Sequence, residues 1–260
     1  RRRHTRYISV TGVQTCALPI LIGARQVALL AAVGRAHVLA HPRPRVAVIS
    51  TGSELVEPGQ PVKFGMLPDS NGHLLVAACK EAGADAYRVG PIADDEEAFR
   101  TAVEDQIHRC DLIITSGGVS MGAYDTVMSV FQGEDAPGSV EFVKVAMSPG
   151  MPQGFGSVGD GAVPIITLPG NPVSSYISFE NFVRPVLERM RGVAPIDRQS
   201  SAVCGADLPS PAGRRQFVRA RFLDEGVVAP VGTGQGSHVM GGLASAEALI
   251  VVPEEIGKST

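Results

Sequence analysis

The chain has 260 residues, room for one or two domains of ordinary size. It is 44% hydrophobic and 19% charged with mean hydropathy +0.14, which excludes a disordered chain, and no apolar run is long enough to span a membrane. The net charge is −3, and with the four arginines of residues 1–20 set aside, 19 bases face 26 acids, a net −7 that argues against a nucleic-acid partner.

Residues 1–20 (RRRHTRYISVTGVQTCALPI) have neither a helical nor a strand period and join abruptly to the apolar segment that begins at Leu21. They are expected to be a non-native or disordered leader outside the fold, and they lack the continuous apolar core of a signal peptide. Leu21–Val33 places Ile22, Gln26, Leu29, Leu30 and Val33 near helical spacing, and HPRPR (41–45) is an extended connector. Arg45–Ser50 is a short β-branched run, the mark of a buried strand. Asn71–Ala82 reads as a helix ended by Gly83, Ala86–Val89 as a strand, and Asp94 with Glu97 as the capped start of a helix carrying Phe99, Ala102, Val103, Gln106 and Ile107. Asp111–Thr115, Val140–Met147 and Val163–Leu168 are further strands. Pro172–Met190 is a long helix with Asn171 at its cap, Pro172 at its first position and a kink expected at Pro185.

This alternation predicts an α/β fold, three layers with a mostly parallel sheet, over about 45–192. Beyond Gly192 the pieces Val203–Leu208, Gln216–Leu223, Gly226–Val231 and Ala248–Val252 predict a small all-β domain over 193–260, with 21–44 as a helix and linker. The four cysteines form no C-x-x-C pair. They read as buried small hydrophobes in a reducing, cytoplasmic compartment.

Three glycine-bearing loops each follow a predicted strand: Thr51, Gly52, Ser53 and Glu54 in the first; Ser116, Gly117, Gly118, Ser120 and Gly122 in the second; Pro169, Gly170, Asn171, Pro172 and Ser174 in the third. In open α/β sheets ligands bind outside the carboxyl ends of the strands, so all three loops fall on the ligand edge. Glycines let backbone N–H groups approach closely and a helix start adds partial positive charge, which suits a phosphate. The P-loop, the dinucleotide fingerprint and the nucleophile elbow are all absent. Lys144 is the lysine of the strand region nearest these loops. Asp125 is placed either to hold a divalent cation beside a phosphate or to cap a helix over 126–132.

TGSEL, DSNG, GGVSMGAYD, PGMP and LPGNPVSS, in that order, resemble the molybdopterin-binding domain of the molybdopterin molybdotransferases, the molybdenum-insertion enzymes related to the gephyrin E domain. GRRQFVR (213–219) and TGQGSH (233–238) resemble the last domain of that family. The resemblance implies Mg2+-dependent insertion of molybdate into adenylylated molybdopterin with release of AMP, by a homodimer whose site lies between subunits. An adenylyltransferase would supply the substrate. It further implies that Gly117, Gly118 and Ser120 bind the pterin phosphate and that Asp125 is the acidic catalytic and Mg2+ residue. Lys144 would be a second catalytic residue, Asn71, Pro169, Pro172 and Ser174 would line the site, and Arg214 or Arg219, with Ser237, would meet the molybdate. Three departures stand out: Ser53 replaces a common Asp, Ser148 and Met151 replace lysines, and the family's N-terminal domains are missing, so that pterin binding without completed insertion is expected. The alternatives are a non-catalytic pterin-binding or scaffolding module and the adenylyltransferase itself.

Overall fold

A computed structural model describes residues 21–118, 125–194, 196–208, 212–224, 226–232 and 234–255. The first element is helix α1 (Ala24–Ala32), none of whose residues is buried. The apolar runs of the sequence then become the strands of one six-stranded sheet. These are β1 (Arg45–Thr51), β4 (Asp85–Ile92), β5 (Leu112–Ser116), β6 (Gly138–Lys144), β8 (Pro152–Val158) and β9 (Val163–Leu168), in the order β4-β1-β5-β9-β8-β6. Between β1 and β4 lie the two-residue strands β2 (Leu55–Val56) and β3 (Leu67–Pro68), paired with each other, and helix α2 (Asn71–Glu81). A further two-residue strand, β7 (Met147–Ser148), falls between β6 and β8.

The four strands β4, β1, β5 and β9 run parallel, with Val46 opposite Ala86 on one side and Leu112 on the other. Val46–Thr51 are all buried, as expected for a strand covered on both faces. On one face α2, the π turn Phe179–Val183 that follows α5 (Pro172–Ser178), and α6 (Arg184–Met190) pack Leu75, Cys79, Phe179 and Leu187 onto Val46, Val48 and Ile114. On the other, α3 (Glu96–Gln106) and α4 (Thr126–Gln132) pack Phe99, Val103, Val127 and Phe131 onto Ala47, Ile49 and Ile113. Phe99 and Phe131 meet edge to face at 6.2 Å. Burying side chains of this size contributes about 1.5–3 kcal/mol each.

The structure differs from the expectation at several places. The α3 cap is Asp95, whose carboxylate accepts from Ala98 N–H, and Asp94 is turned to another partner. The helix expected over 172–190 is two helices joined by a π turn at Phe179–Val183, immediately before Pro185. Proline has no N–H to give the carbonyl four residues back, and the widened turn absorbs that loss. The strand expected at 140–147 divides into β6 and β7. The unanticipated β8 lies antiparallel between β9 and β6, because PQGFGSV offers glycines in place of an apolar alternation.

The C-terminal region forms a second sheet from β10 (Val203–Cys204), β11 (Arg215–Asp224), β12 (Val227–Pro230) and β13 (Ala248–Val252), with the five-residue helix α7 (Met240–Ala244). Strand β7, from within the 45–192 region, pairs with β11 and joins this sheet. Met147, Val173, Ile177 and Phe217 form a core common to both regions. Among the described residues no helix is long and apolar enough to cross a membrane.

Candidate functional site

Strands β1, β5 and β9 are adjacent and parallel, so their three loops emerge side by side at one sheet edge. Each strand ends in hydroxyl residues: Ser50 and Thr51, Thr115 and Ser116, and Thr167, all buried. Among the described residues Ser50 Oγ, Thr115 Oγ1 and Thr167 Oγ1 have no hydrogen-bond partner. The endings VIST, IITS and IITL were the available signal for this row, which reading the loops alone passed over.

The loops are bonded to one another. Thr51 Oγ1 donates to Ser116 O (3.4 Å), and Gly117 N–H donates to Leu168 O (3.2 Å). Gly117 has φ +98° and its missing Cβ would fall 2.5 Å from Thr51 O, so only glycine lets the second loop lie against the first. Asn71, the first residue of α2, reaches across both remaining loops. Its Nδ2 donates to Ser116 Oγ (2.8 Å) and to Gly170 O (2.6 Å). Its Oδ1 is buried without a partner among the described residues. Beneath it the fully buried Asp69 accepts from Gly72 N–H (2.9 Å) and from Arg88 (2.9 Å). Glu57 first, then Asp69, holds the Arg88 guanidinium charged beyond its ordinary range.

Ser53 and Asp94 exchange hydrogen bonds: Ser53 N–H donates to the Asp94 carboxylate and Asp94 N–H donates to Ser53 Oγ, each at 2.9 Å. The serine thereby anchors the first loop to the end of β4, and Asp94, missed as a site residue, joins the same edge beside the exposed Glu54. Asp125 is buried and caps α4, its Oδ1 accepting from Met128 N–H (3.3 Å). Lys144 is exposed at the end of β6, two strands out from β9 and so about 10 Å from it. Pro169 and Ser174 are buried, Gly170 and Asn171 exposed, with Pro172 opening α5. Ser120 and Gly122 lie outside the described residues.

The second sheet reaches this edge through its Gly234–Val239 loop. Ser237 O accepts from Val173 N–H (3.1 Å) in the first turn of α5, which brings Ser237 beside the third loop. Arg219 does not share that position. It is 1% exposed, and its guanidinium donates to Gln235 Oε1 (3.3 Å), Gly234 O (2.8 Å), Gly236 O (3.3 Å) and Val239 O. Those donors are spent on the loop that carries Ser237, so Arg219 shapes the loop and leaves an anion to other donors. Arg214 is exposed before β11. Ser148 belongs to β7 and pairs with Gln216, so the PGMP turn faces the second sheet.

Among the described residues no three His, Cys, Asp or Glu side chains gather to hold a metal. A Mg2+ would therefore be held by few protein oxygens. That fits its habit of taking one or two carboxylates and completing its shell with phosphate oxygens and water.

The fold is that of an α/β protein with a mostly parallel sheet, whose candidate site lies on the carboxyl edge of that sheet, with a β-rich region against its third loop. Residues 47–189 match the family described as "Probable molybdopterin binding domain", and residues 201–258 match the MoeA C-terminal region, domain IV. The chain belongs to the molybdopterin-binding-domain family. It is 47% identical over 233 residues to molybdopterin molybdenumtransferase 2 of Mycobacterium tuberculosis, covering 88% of this chain and 57% of that protein. To molybdopterin molybdenumtransferase 1 of the same organism it is 40% identical over 241 residues, covering 90% and 56%. A solved MoeA molybdopterin biosynthesis protein from Pyrococcus horikosii superposes with TM-score 0.73 at 30% identity, over 90% of this chain and 56% of that one. The chain thus spans a little over half the length of these relatives.

Proposed function

We propose that the chain acts in molybdenum cofactor biosynthesis, as the pterin-holding part of a molybdenum-insertion enzyme. The reaction is Mg2+-dependent insertion of molybdate into adenylylated molybdopterin with release of AMP. The observation that carries the reading is the three loops held as one surface, the first to the second by Thr51 and the second to the third by Asn71, with Ser237 brought to the third. Backbone N–H groups of the second and third loops bind the pterin phosphate. Asp125, with phosphate oxygens, would hold the Mg2+, which supplies charge neutralisation at the adenylate. Lys144 adds a cation at the rim. Ser237 and the exposed Arg214 are the donors for molybdate, a compact oxyanion. Residues 45–192 and 193–260 are the pterin and β domains of this reading, a homodimer its assembly, the cytoplasm its location, and an adenylyltransferase the source of its substrate.

The test is a calorimetric titration of the chain with molybdopterin, followed by incubation with adenylylated molybdopterin, Mg2+ and molybdate. Micromolar binding is expected. AMP release that is lost in Asp125→Ala assigns the whole reaction to this chain, and binding without release assigns it the pterin-holding part. No binding at millimolar pterin overturns the reading.

A further inference from the structure

We infer that the pair formed by the buried Asp69 and the half-buried Arg88 is the positioning device of the site, acting through the first turn of α2 to set the Asn71 amide that clamps the second loop to the third. Asp69 is fully buried, and its two carboxylate oxygens go to different elements: Oδ1 to Gly72 N–H (2.9 Å) and Oδ2 to Arg88 Nη2 (2.9 Å). Its own N–H donates to Val56 O (2.8 Å), on the segment that continues the first loop. Arg88 carries the connection onward, with Nη1 and Nη2 on the Glu57 carboxylate (3.0 and 2.7 Å) and Nη2 also on Gly90 O (3.1 Å).

Helix α2 is seated directly on this pair. A Cβ at Gly72 would stand 2.5 Å from Asp69 Oδ2 and 2.8 Å from both Arg88 Nε and Ser50 Oγ, so the helix start has no slack toward β1 or β4. One residue before Gly72, Asn71 spends both amide hydrogens on the neighbouring loops. A displacement of α2 by an ångström would break both bonds, because hydrogen bonds weaken steeply beyond their usual length. An ion pair with even one buried partner is commonly no more stabilising than well-packed apolar side chains of the same volume. Its value here is placement: two charged groups fix the rotation and height of one helix start.

The inference rests on the reading that these loops hold the pterin, and its test has an arm that needs no ligand. In the free protein, exchange of the Asn71 side-chain amide hydrogens with water is followed by NMR for wild type, Asp69→Asn, Arg88→Met and Arg88→Lys. Asp69→Asn and Arg88→Met are expected to speed this exchange at least about tenfold while backbone amides of β1 and β5 stay protected, and Arg88→Lys to keep most of the protection. In the second arm, molybdopterin binding should weaken about tenfold in Asp69→Asn. The double variant Asp69→Asn/Asn71→Ala should bind no more weakly than Asn71→Ala alone. Unchanged Asn71 exchange, or additive losses in the double variant, overturns the positioning role. Failure of wild type to bind molybdopterin overturns the pterin reading and leaves the positioning role to be decided by exchange. If Asp69→Asn does not fold, the two Arg88 variants decide it.

Discussion

Arg219 and Arg215 lie on the same strand, β11, and their fates are opposite. Arg215 is half-exposed and pairs with Glu254 (2.9 Å), whereas Arg219 is buried and bonded to its own loop. Burial pushes the Arg219 guanidinium below its ordinary range, while its donors are taken up by four loop acceptors. Arg219→Met should therefore cost about 3 kcal/mol in urea unfolding, because it strands loop carbonyls that have lost their donor, and Arg219→Lys should recover little, since an ammonium lacks the fork. An arginine in a glycine-rich setting resembles an anion ligand in sequence. What decides otherwise is that Arg219 lies in the stretch Phe217–Ala220, where β11 is buried on both faces. The cysteines make a similar point. Cys79 and Cys110 are buried as expected, but Cys204 is exposed on a two-residue strand too short to cover it. Burial pushes the Cys79 thiol up to about 12 and raises Cys110 as well. Of these three, a thiol reagent should label Cys204 alone in the native protein, and mass spectrometry of the labelled peptides checks it.

At the scale of elements, the parallel strands and their loops were legible because apolar runs bounded by glycine and proline carry both signals at once. Strand β8 and the departure of β7 were not, since a glycine-rich strand and a two-residue strand are recognised only by what they pair with. The loops' tight seating gives a direct prediction. Gly117→Ala brings a methyl group onto Thr51 O at φ +98° and should destabilise the protein by about 2 kcal/mol or more, read as a lower melting temperature. The segment leaving α6 is clamped in another way. Glu188 accepts from Ile196 N–H (3.1 Å) and from Arg198 (2.5 Å). Burial alone would push its carboxyl up, but the Arg198 bond, the Ile196 N–H and the charges of Arg198 and Arg184 together hold it below the ordinary carboxylate range. A carboxyl lowered on folding contributes stability above its unfolded value, near about 4.3, and loses that contribution as pH falls through its folded value. The stability difference between wild type and Glu188→Gln should thus be present at about pH 6 and shrink steadily below about pH 4, measured by urea unfolding across that range.

For the whole molecule, the two sheets meet where β7 joins β11 and where Met147, Val173, Ile177 and Phe217 pack together. Along the chain a helix-covered parallel sheet gives way to a β-rich region. Pattern along the chain reports what each segment forms, and says nothing of a strand lent from one sheet to the other. That loan bears on how the chain comes apart. A cut within residues 196–202 would leave each piece an incomplete partner: the C-terminal piece with the Arg215–Gln216 edge unpaired and Phe217 bared, the N-terminal piece with Met147 and Ile177 uncovered. The two pieces are built to recognise one another, so the chain is a natural candidate for a split protein. Halves made separately should complete the second sheet only when mixed, and the joint at β7 would report their reunion.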